Sequence, residues 1–234
     1  MERYLIPVAG GDPILVTRPK TVRHVVMFLP APTEPRGGRF GSFTQWAALW
    51  ADRGVASLVA DLPGGGDSTV AARPDAWVRQ AGAVHTQAEM LAGRKPVHLF
   101  ARGAAAALLP AVRGAGVRIG FSPPLPEECR RAVAMLDDDE TPDADVLSSV
   151  IGLHEVDQEL DGDVRPLLNW AADQLAEVRW DLELHSAHRP PRAPSAVTFS
   201  DVDALARLEI TRVGIGHVLA GLFDELADMT NWED

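Results

Sequence analysis

The chain has only one cysteine, Cys129, among its 234 residues, so no disulfide can form within it. A chain without disulfides is typical of a reducing compartment, and we expect a cytoplasmic location. The neighbouring carboxylates of Glu127 and Glu128 oppose formation of a thiolate at this cysteine. We therefore interpret Cys129 as a structural residue.

The sequence also lacks the pattern of a signal peptide and a long apolar run, and it has few basic residues. Residues 1–8 lack a basic region followed by an apolar stretch, so we expect no signal peptide. The longest apolar run, residues 103–112, is far shorter than the roughly 20 residues that cross a bilayer. Only 22 Lys and Arg face 33 Asp and Glu, for a formal net charge of −11. Such a surface repels phosphate backbones and anionic lipids, which argues against nucleic-acid and membrane partners.

Apolar runs alternate with helix-like periodicity through the first half of the chain. A hairpin is predicted from strands at residues 4–8 and 14–17, with a turn at Gly10, Gly11 and Asp12. Further strands are predicted at 25–29, 55–60, 97–101 and 117–121, with helices between them. This alternation predicts an α/β fold, a doubly wound and mostly parallel sheet with helices on both faces.

Local signals mark where the helices begin and end. Ser42 and Gln45 form a capping-box pattern, and Gly54 is a stop signal for the same helix. Asp75 is predicted to cap the second helix. The alanine-rich segment from Ala104 favours a third helix, which Pro110 should kink or shorten.

Residues 122–194 differ from this alternating pattern. They contain proline-rich stretches at both ends, an acidic run at 137–145, and predicted helices near 127–136, 145–159 and 165–183. We interpret this segment as a helical insertion over one end of the sheet, within a single domain covering residues 1–234. Strands at 195–200 and 208–213 and a helix at 217–229 are predicted to complete the fold.

The turn after the strand at 55–60 carries a resemblance to a known superfamily. Its sequence, Asp61-Leu62-Pro63-Gly64-Gly65-Gly66-Asp67-Ser68, resembles the Asp-x-x-Gly-x-Gly-x-Ser turn of many α/β-hydrolases. Residues 30–39 and 46–68 also resemble the hydrolase-like proteins associated with exosortase systems of bacterial exopolysaccharide clusters. The resemblance to the superfamily covers most of the chain outside residues 122–194. It implies a sheet of the α/β-hydrolase type.

That superfamily carries its nucleophile in a Gly-x-Ser-x-Gly turn between a strand and a helix. In the matching segment, residues 99–106, Ala101 and Ala105 replace the two glycines and Gly103 replaces the serine. Glycine has no side chain that can attack a carbonyl, and it tolerates the strained backbone of this turn. Ordinary serine-hydrolase chemistry is therefore not expected.

Other parts of a hydrolase site are implied by the same resemblance. The segment Gly214-Ile215-Gly216-His217 resembles the loop that delivers the catalytic histidine, and Asp203 falls near the place of the acid that orients it. Asp201 is a second candidate for that acid. The alternatives are a capping or packing role for His217 and a turn role for Asp203.

Two backbone N–H groups are candidates for an oxyanion hole, which needs no particular side chain. Ala104 would supply one at the start of a helix, and the loop around Ala31 to Thr33 would supply the other. Arg102 would add positive charge there, unless it pairs with a carboxylate. Gly103 belongs to the same predicted oxyanion and ligand site.

The sequence offers few candidates for a replacement nucleophile or for a metal site. Ser122 follows a strand and is the first candidate, with Ser200 and Ser42 as further options, although each fits a cap or turn role. His185 and His188 lie near Asp181 and Glu183, but their context before Arg-Pro-Pro is typical of a solvated loop. We expect no metal and no cofactor.

Two functions of different classes follow from these residues. The first is a degenerate hydrolase-fold protein that binds a small acyl or carbonyl ligand, or a partner protein. The second is an enzyme without an elbow serine, in which His217 oriented by Asp203 acts as a general base in ester or acyl hydrolysis, a lyase step or a cyclisation.

Overall fold

The computed structural model describes residues 1–38, 41–112, 115–137, 150, 164–179, 181–186, 195–199 and 216–225. The strands in chain order are β1 (Glu2–Ile6), β2 (Ile14–Arg18), β3 (His24–Leu29), β4 (Val55–Val59), β5 (Val97–Arg102), β6 (Ala115–Phe121), β7 (Leu182–Ser186) and β8 (Ser195–Phe199). The helices are α1 (Ser42–Ala51), α2 (Pro74–Ala92), α3 (Pro126–Asp137), α4 (Arg165–Leu175) and α5 (216–225), with a 3₁₀ segment at Gly103–Ala111.

The described strands form one sheet in the order β1-β2-β4-β3-β5-β6-β7-β8. β1 pairs antiparallel with β2, and β2 pairs antiparallel with β4, whereas the other neighbours are parallel. The predicted hairpin is confirmed, and its turn places Gly10 at φ 70°, which favours glycine. Among the described helices, none is long and apolar enough to cross a membrane.

Successive residues of a strand point to opposite faces of the sheet, and both faces are covered. Val25 and Met27 of β3 belong to an apolar cluster that includes α2, the 3₁₀ segment, α3 and α4. Val26 and Phe28 belong to a second cluster, which includes α1 and α5. Helices therefore pack on both sides, and the predicted doubly wound α/β fold is confirmed.

Aromatic side chains join α1 and α5 to the sheet. Phe28 stacks on Phe43 and on Trp50, with ring centroids 4.6 and 5.4 Å apart. The buried Trp50 indole N–H donates to the Gly216 carbonyl oxygen at 2.8 Å. A Cβ at Gly216 would lie 2.8 Å from Trp46 Cδ1, so the start of α5 lies close against α1.

The helix starts differ from the predicted caps. The N-cap of α1 is Gly41 at φ 73°, with no side-chain capping bond, and Ser42 is the first helical residue; the capping-box prediction is wrong. Arg73 is the N-cap of α2, and Pro74 comes next, because proline suits the first helical position. Asp75 therefore lies inside the first turn, where a carboxylate interacts favourably with the helix dipole.

The alanine-rich segment after β5 forms a 3₁₀ helix, Gly103–Ala111, where alanine composition favoured an α-helix. Pro110 lies within it and has no N–H to donate, and its ring clashes with the carbonyl four residues earlier in an α-helix. A 3₁₀ run of this length is uncommon. Its first seven residues, 103–109, are buried.

The segment predicted as a helical insertion contains both helices and a strand. α3 matches the helix predicted near 127–136, and α3 and α4 contribute to the apolar cluster beside the 3₁₀ segment. α4 ends at Leu175, however, and Leu182–Ser186 form β7 between β6 and β8. The predicted helix to residue 183 and insertion to residue 194 are therefore wrong, because pairing with β6 determines the conformation of residues 182–186.

The other predictions in the second half have different outcomes. The strand at Ser195–Phe199 and the closing helix, described over residues 216–225, are confirmed. The helix predicted at 145–159, apart from residue 150, and the strand predicted at 208–213 lie outside the described residues.

Candidate functional site

The carboxyl ends of the parallel strands lie side by side along one edge of the sheet. Ligands bind outside these carboxyl ends in open α/β folds. The ladder pairs Leu29 with Ala101, and Arg102 with Phe121. The chain segments that follow β3, β5 and β6 are consequently neighbours at this edge. These segments contain four of the predicted site positions: Ala31, Gly103, Ala104 and Ser122.

Gly103 makes the bend between β5 and the 3₁₀ segment. Its φ of 55° lies in the left-handed region, where a residue with a Cβ is strained. Arg102 before it is extended, with φ −114° and ψ 139°, so the chain changes direction sharply at this glycine. Ala104, the next residue, is fully buried in the first turn of the 3₁₀ segment.

A buried ion pair lies directly beside this bend. The Arg102 guanidinium pairs through Nη1 with Oε1 of Glu34, and the two side chains are only 4% and 2% exposed. Arg102 Cζ also lies 5.3 Å from the centre of the Phe121 ring, which adds a cation–π contact. Of the two roles considered for Arg102, the structure shows pairing with a carboxylate, and Glu34 was not identified from the sequence.

The same carboxylate engages a backbone donor that the sequence assigned to the oxyanion hole. Ala31 N–H donates to Glu34 Oε2 at 3.3 Å, and Glu34 N–H donates back to the Ala31 carbonyl at 2.9 Å. Ala31 is 1% exposed. A carboxylate of the protein itself thus occupies the donor around Ala31, and Arg102 neutralises its charge.

The loop that carries Glu34 is fastened to the turn after β4. Arg36 forms an ion pair with Asp61, and its backbone N–H donates to Asp61 Oδ1 at 2.6 Å. Burial raises the pKa of the Asp61 carboxyl, because desolvation outweighs the opposing hydrogen bonds and charge of Arg36. A Cβ at Gly65 would collide with a loop carbonyl, and one at Gly66 with the Asp61 carboxylate. These glycines allow the two segments to approach closely.

Ser122 is the one residue other than glycine with a positive φ, 49°, in the part of the chain that the structure describes. It is 5% exposed, and its backbone N–H donates to the Leu184 carbonyl at 2.8 Å. A left-handed serine is strained and fits a turn role as well as a functional one.

His217 is an exposed residue in the first turn of α5. Within the described ranges, its ring has no hydrogen bond or ion pair with another residue. Asp203, Asp201 and Ser200 lie outside the described residues, so the predicted pairing of His217 with an acid stays a prediction. Ser42 is buried at the start of α1.

The histidine-rich segment proposed as a solvated loop is largely strand. Glu183 is 2% exposed within β7, and Asp181 Oδ2 accepts the Arg118 backbone N–H at 2.8 Å. His185 also belongs to β7, whereas His188 lies outside the described residues. The solvated-loop prediction is therefore wrong for residues 182–186. No group of three or more potential metal ligands occurs among the described residues.

A second buried polar cluster lies where β3 and β5 begin, at the end of these strands opposite to the Gly103 bend. The sequence did not predict it. The rings of His24 in β3 and His98 in β5 approach with Nδ1 and Nε2 3.3 Å apart. His98 Nδ1 accepts the Val117 N–H at 3.1 Å, so His98 Nε2 carries the proton and donates it to His24. Burial, with a smaller effect from His24, lowers the pKa of His98 to about 4.

No protein-family model and no curated protein matches this sequence. Solved structures do share its fold. A carboxyl esterase from Bacillus coagulans aligns with a TM-score of 0.68 and 7% identity, over 97% of this chain and 98% of the esterase. A monoglyceride lipase from Saccharomyces cerevisiae aligns with a TM-score of 0.60 and 9% identity, over 96% of this chain and 95% of the lipase.

A mouse protein, α/β hydrolase domain-containing protein 10, aligns with a TM-score of 0.59 and 12% identity, over 97% of this chain and all of that one. At such identities the likeness concerns the fold. The chain therefore has the α/β-hydrolase fold, as its sheet order and helix layers indicate.

Proposed function

We propose that this protein is a non-catalytic member of the α/β-hydrolase superfamily that binds a small acyl or carbonyl ligand, or a partner protein. The observation that carries the proposal is the buried carboxylate of Glu34, held by Arg102 and by Ala31 N–H beside the Gly103 bend. In this proposal, that bend corresponds to the turn that carries the nucleophilic serine in the superfamily.

Acyl transfer by a serine hydrolase requires an accessible nucleophile and free donors for the oxyanion. Gly103 offers no nucleophile, and Ala31 N–H already donates to a carboxylate. The surrounding residues Arg102, Ala104 and Ser122 are each at most 5% exposed. These features support loss of the hydrolytic reaction with retention of the fold.

A binding role is supported by the place of the site in the fold. The carboxyl edge of a parallel sheet is where such folds hold their ligands. By analogy, the esterase aligned above was solved with glycerol, and the lipase with a substrate analogue. The resemblance of residues 30–39 and 46–68 to exosortase-associated proteins further supports a product of a biosynthetic gene neighbourhood, and the single cysteine supports a cytoplasmic location.

Restoring the serine tests whether the site is closed. We expect Gly103→Ser to hydrolyse activated aryl esters no faster than the wild-type protein. The reason is that Glu34 still occupies the Ala31 donor, even though a hydroxyl is now present. Initial rates over a panel of acyl chain lengths are the measurement, with circular dichroism to establish folding.

Gly82→Ser is the matched control, because position 82 lies in α2 and has open space around a Cβ. An esterase activity that appears in Gly103→Ser alone would contradict the proposal, since it would require an open pocket and free oxyanion donors at the bend.

A serine-independent enzyme is the second candidate, and the placement of His217 favours it. The ring is exposed at the start of α5, a position that the Trp50 hydrogen bond to Gly216 fixes. Oriented by Asp203, this imidazole would act as a general base on water or on a substrate proton. A placed base contributes about 10²–10⁴-fold to a rate.

His217→Ala separates the two candidates. If any acyl substrate is turned over by the wild-type protein, the general-base reading predicts a loss of about 10²-fold or more in kcat/KM for the variant. Val218→Ala is the control, because Val218 is an exposed neighbour that cannot exchange protons. Equal rates in all three proteins would overturn the catalytic role of His217.

A further inference from the structure

We propose that the Glu34 side chain stands in for the carboxylate of a ligand, and that the Arg102 site binds a carboxylate-bearing molecule after Glu34 moves away. This inference rests on the proposed binding function and specifies its ligand class. The groups that would hold the ligand are the Arg102 guanidinium and the Ala31 backbone N–H, which now hold Glu34.

The donors around Glu34 form a cradle for one carboxylate group. The Arg102 guanidinium contacts Oε1, and Ala31 N–H reaches Oε2 at 3.3 Å. Guanidinium groups match carboxylates in shape and charge, and both oxygens are satisfied here. A ligand carboxylate that entered this cradle would recover the same two interactions.

The carboxylate comes from a loop, which makes its exchange feasible. Glu34 lies between β3 and α1, in a turn closed by its N–H bond to the Ala31 carbonyl. The next attachment is the Arg36–Asp61 ion pair, in which Arg36 is 26% exposed. Loop segments open at lower free energy than strands, whereas Arg102 is fixed at the end of β5.

Charge at this edge favours a ligand with a single negative charge. In this buried place, Arg102 pairs with the single negative charge of Glu34. Arg36, the next cation of this loop, is already paired with Asp61, so it is not available to balance a second negative charge. Carboxylates such as formate and acetate should therefore bind better than inorganic phosphate.

Exchange also predicts how affinity responds to Glu34. A site that is mostly closed binds its ligand with an apparent Kd increased by the inverse of its open fraction. Removing the Glu34 carboxylate should remove this competition. We expect Glu34→Ala to bind formate and acetate with a Kd at least about tenfold below that of the wild-type protein.

The experiment is a titration of the full chain with sodium formate, sodium acetate and sodium phosphate at constant ionic strength. Saturable shifts in melting temperature and isothermal titration calorimetry are the two readouts. Glu34→Gln is the second variant, since it fills the same space without the charge and is less disruptive than alanine. It should show a smaller gain in carboxylate affinity than Glu34→Ala.

Two control proteins locate the effect. Glu89→Ala removes a largely exposed carboxylate from α2 and should bind formate and acetate as the wild type does. Adding Arg102→Met to Glu34→Gln should abolish the gain, because no cation remains in the cradle. If Glu34→Ala does not fold, Glu34→Gln and its Arg102→Met double variant decide the question.

Absence of saturable carboxylate binding in both Glu34 variants would overturn the inference, as would a gain that survives Arg102→Met or that phosphate shares equally. The proposed loss of catalysis has a separate readout, because esterase activity concerns a nucleophile and these titrations concern Arg102. Failure of one proposal is therefore distinguishable from failure of the other.

Discussion

Arg102→Met should lower the free energy of unfolding by about 3–5 kcal/mol, the cost of leaving one partner of a buried ion pair uncompensated. Methionine keeps much of the length and apolar character of the arginine stem. The Glu34 carboxylate, 2% exposed, would then lie without its cation in a low-dielectric environment. The free energy of unfolding of a single domain is only about 5–15 kcal/mol, so the loss should be evident in urea denaturation.

Arg53→Met is the control for this prediction. Arg53 pairs with Asp224 at 2.9 Å, but the two side chains are 34% and 61% exposed, so the loss should be within about 1 kcal/mol. The double variant Glu34→Gln with Arg102→Met should recover much of the stability, because the Glu34 carboxylate is no longer buried without its cation. Equal losses for Arg102→Met and Arg53→Met would show that the Arg102 pair is not buried in solution.

Acid should destabilise the protein through His98. Burial lowers the pKa of this ring to about 4, whereas the unfolded chain titrates near the ordinary value of 6.5. Below pH 6.5 the unfolded state binds a proton that the folded state does not, so stability falls as the pH decreases towards 4. The difference between the folded and unfolded pKa of this ring corresponds to a loss of roughly 3 kcal/mol once the pH is below both values.

Urea denaturation at several pH values between 7 and 4 measures this dependence. His98→Asn should reduce the slope, because its Oδ1 can accept the Val117 N–H in place of Nδ1 and the side chain does not titrate. Val218→Ala is the control and should leave the slope in place, because Val218 is an exposed residue that cannot exchange protons. A slope unchanged by His98→Asn would contradict the assignment of the neutral ring.

The fold was predictable because its main signals are local. The segments that form β3, β4 and β5 are mostly apolar, as strands buried on both faces of a sheet must be. Gly103 was identifiable for a similar reason, since it lies between a buried strand and an alanine-rich segment. Its positive φ follows from the turn that these elements impose.

The groups around that bend were much harder to predict. Glu34 and Arg102 are 68 residues apart in the chain, and no periodicity links a loop carboxylate to the end of a strand. His24 and His98 are likewise brought together only by the pairing of β3 with β5. The strand at Leu182–Ser186 was likewise not predictable, because its pairing with β6 and not its local sequence determines its conformation.

Labelling with an alkyl fluorophosphonate, read as intact mass, tests most directly whether this α/β-hydrolase fold lacks a working nucleophile. The folded wild-type chain should show no added mass under conditions that fully label an ordinary serine esterase. A stoichiometric adduct on any serine, Ser122 included, would contradict the account, because it would show an activated and accessible hydroxyl in the folded chain.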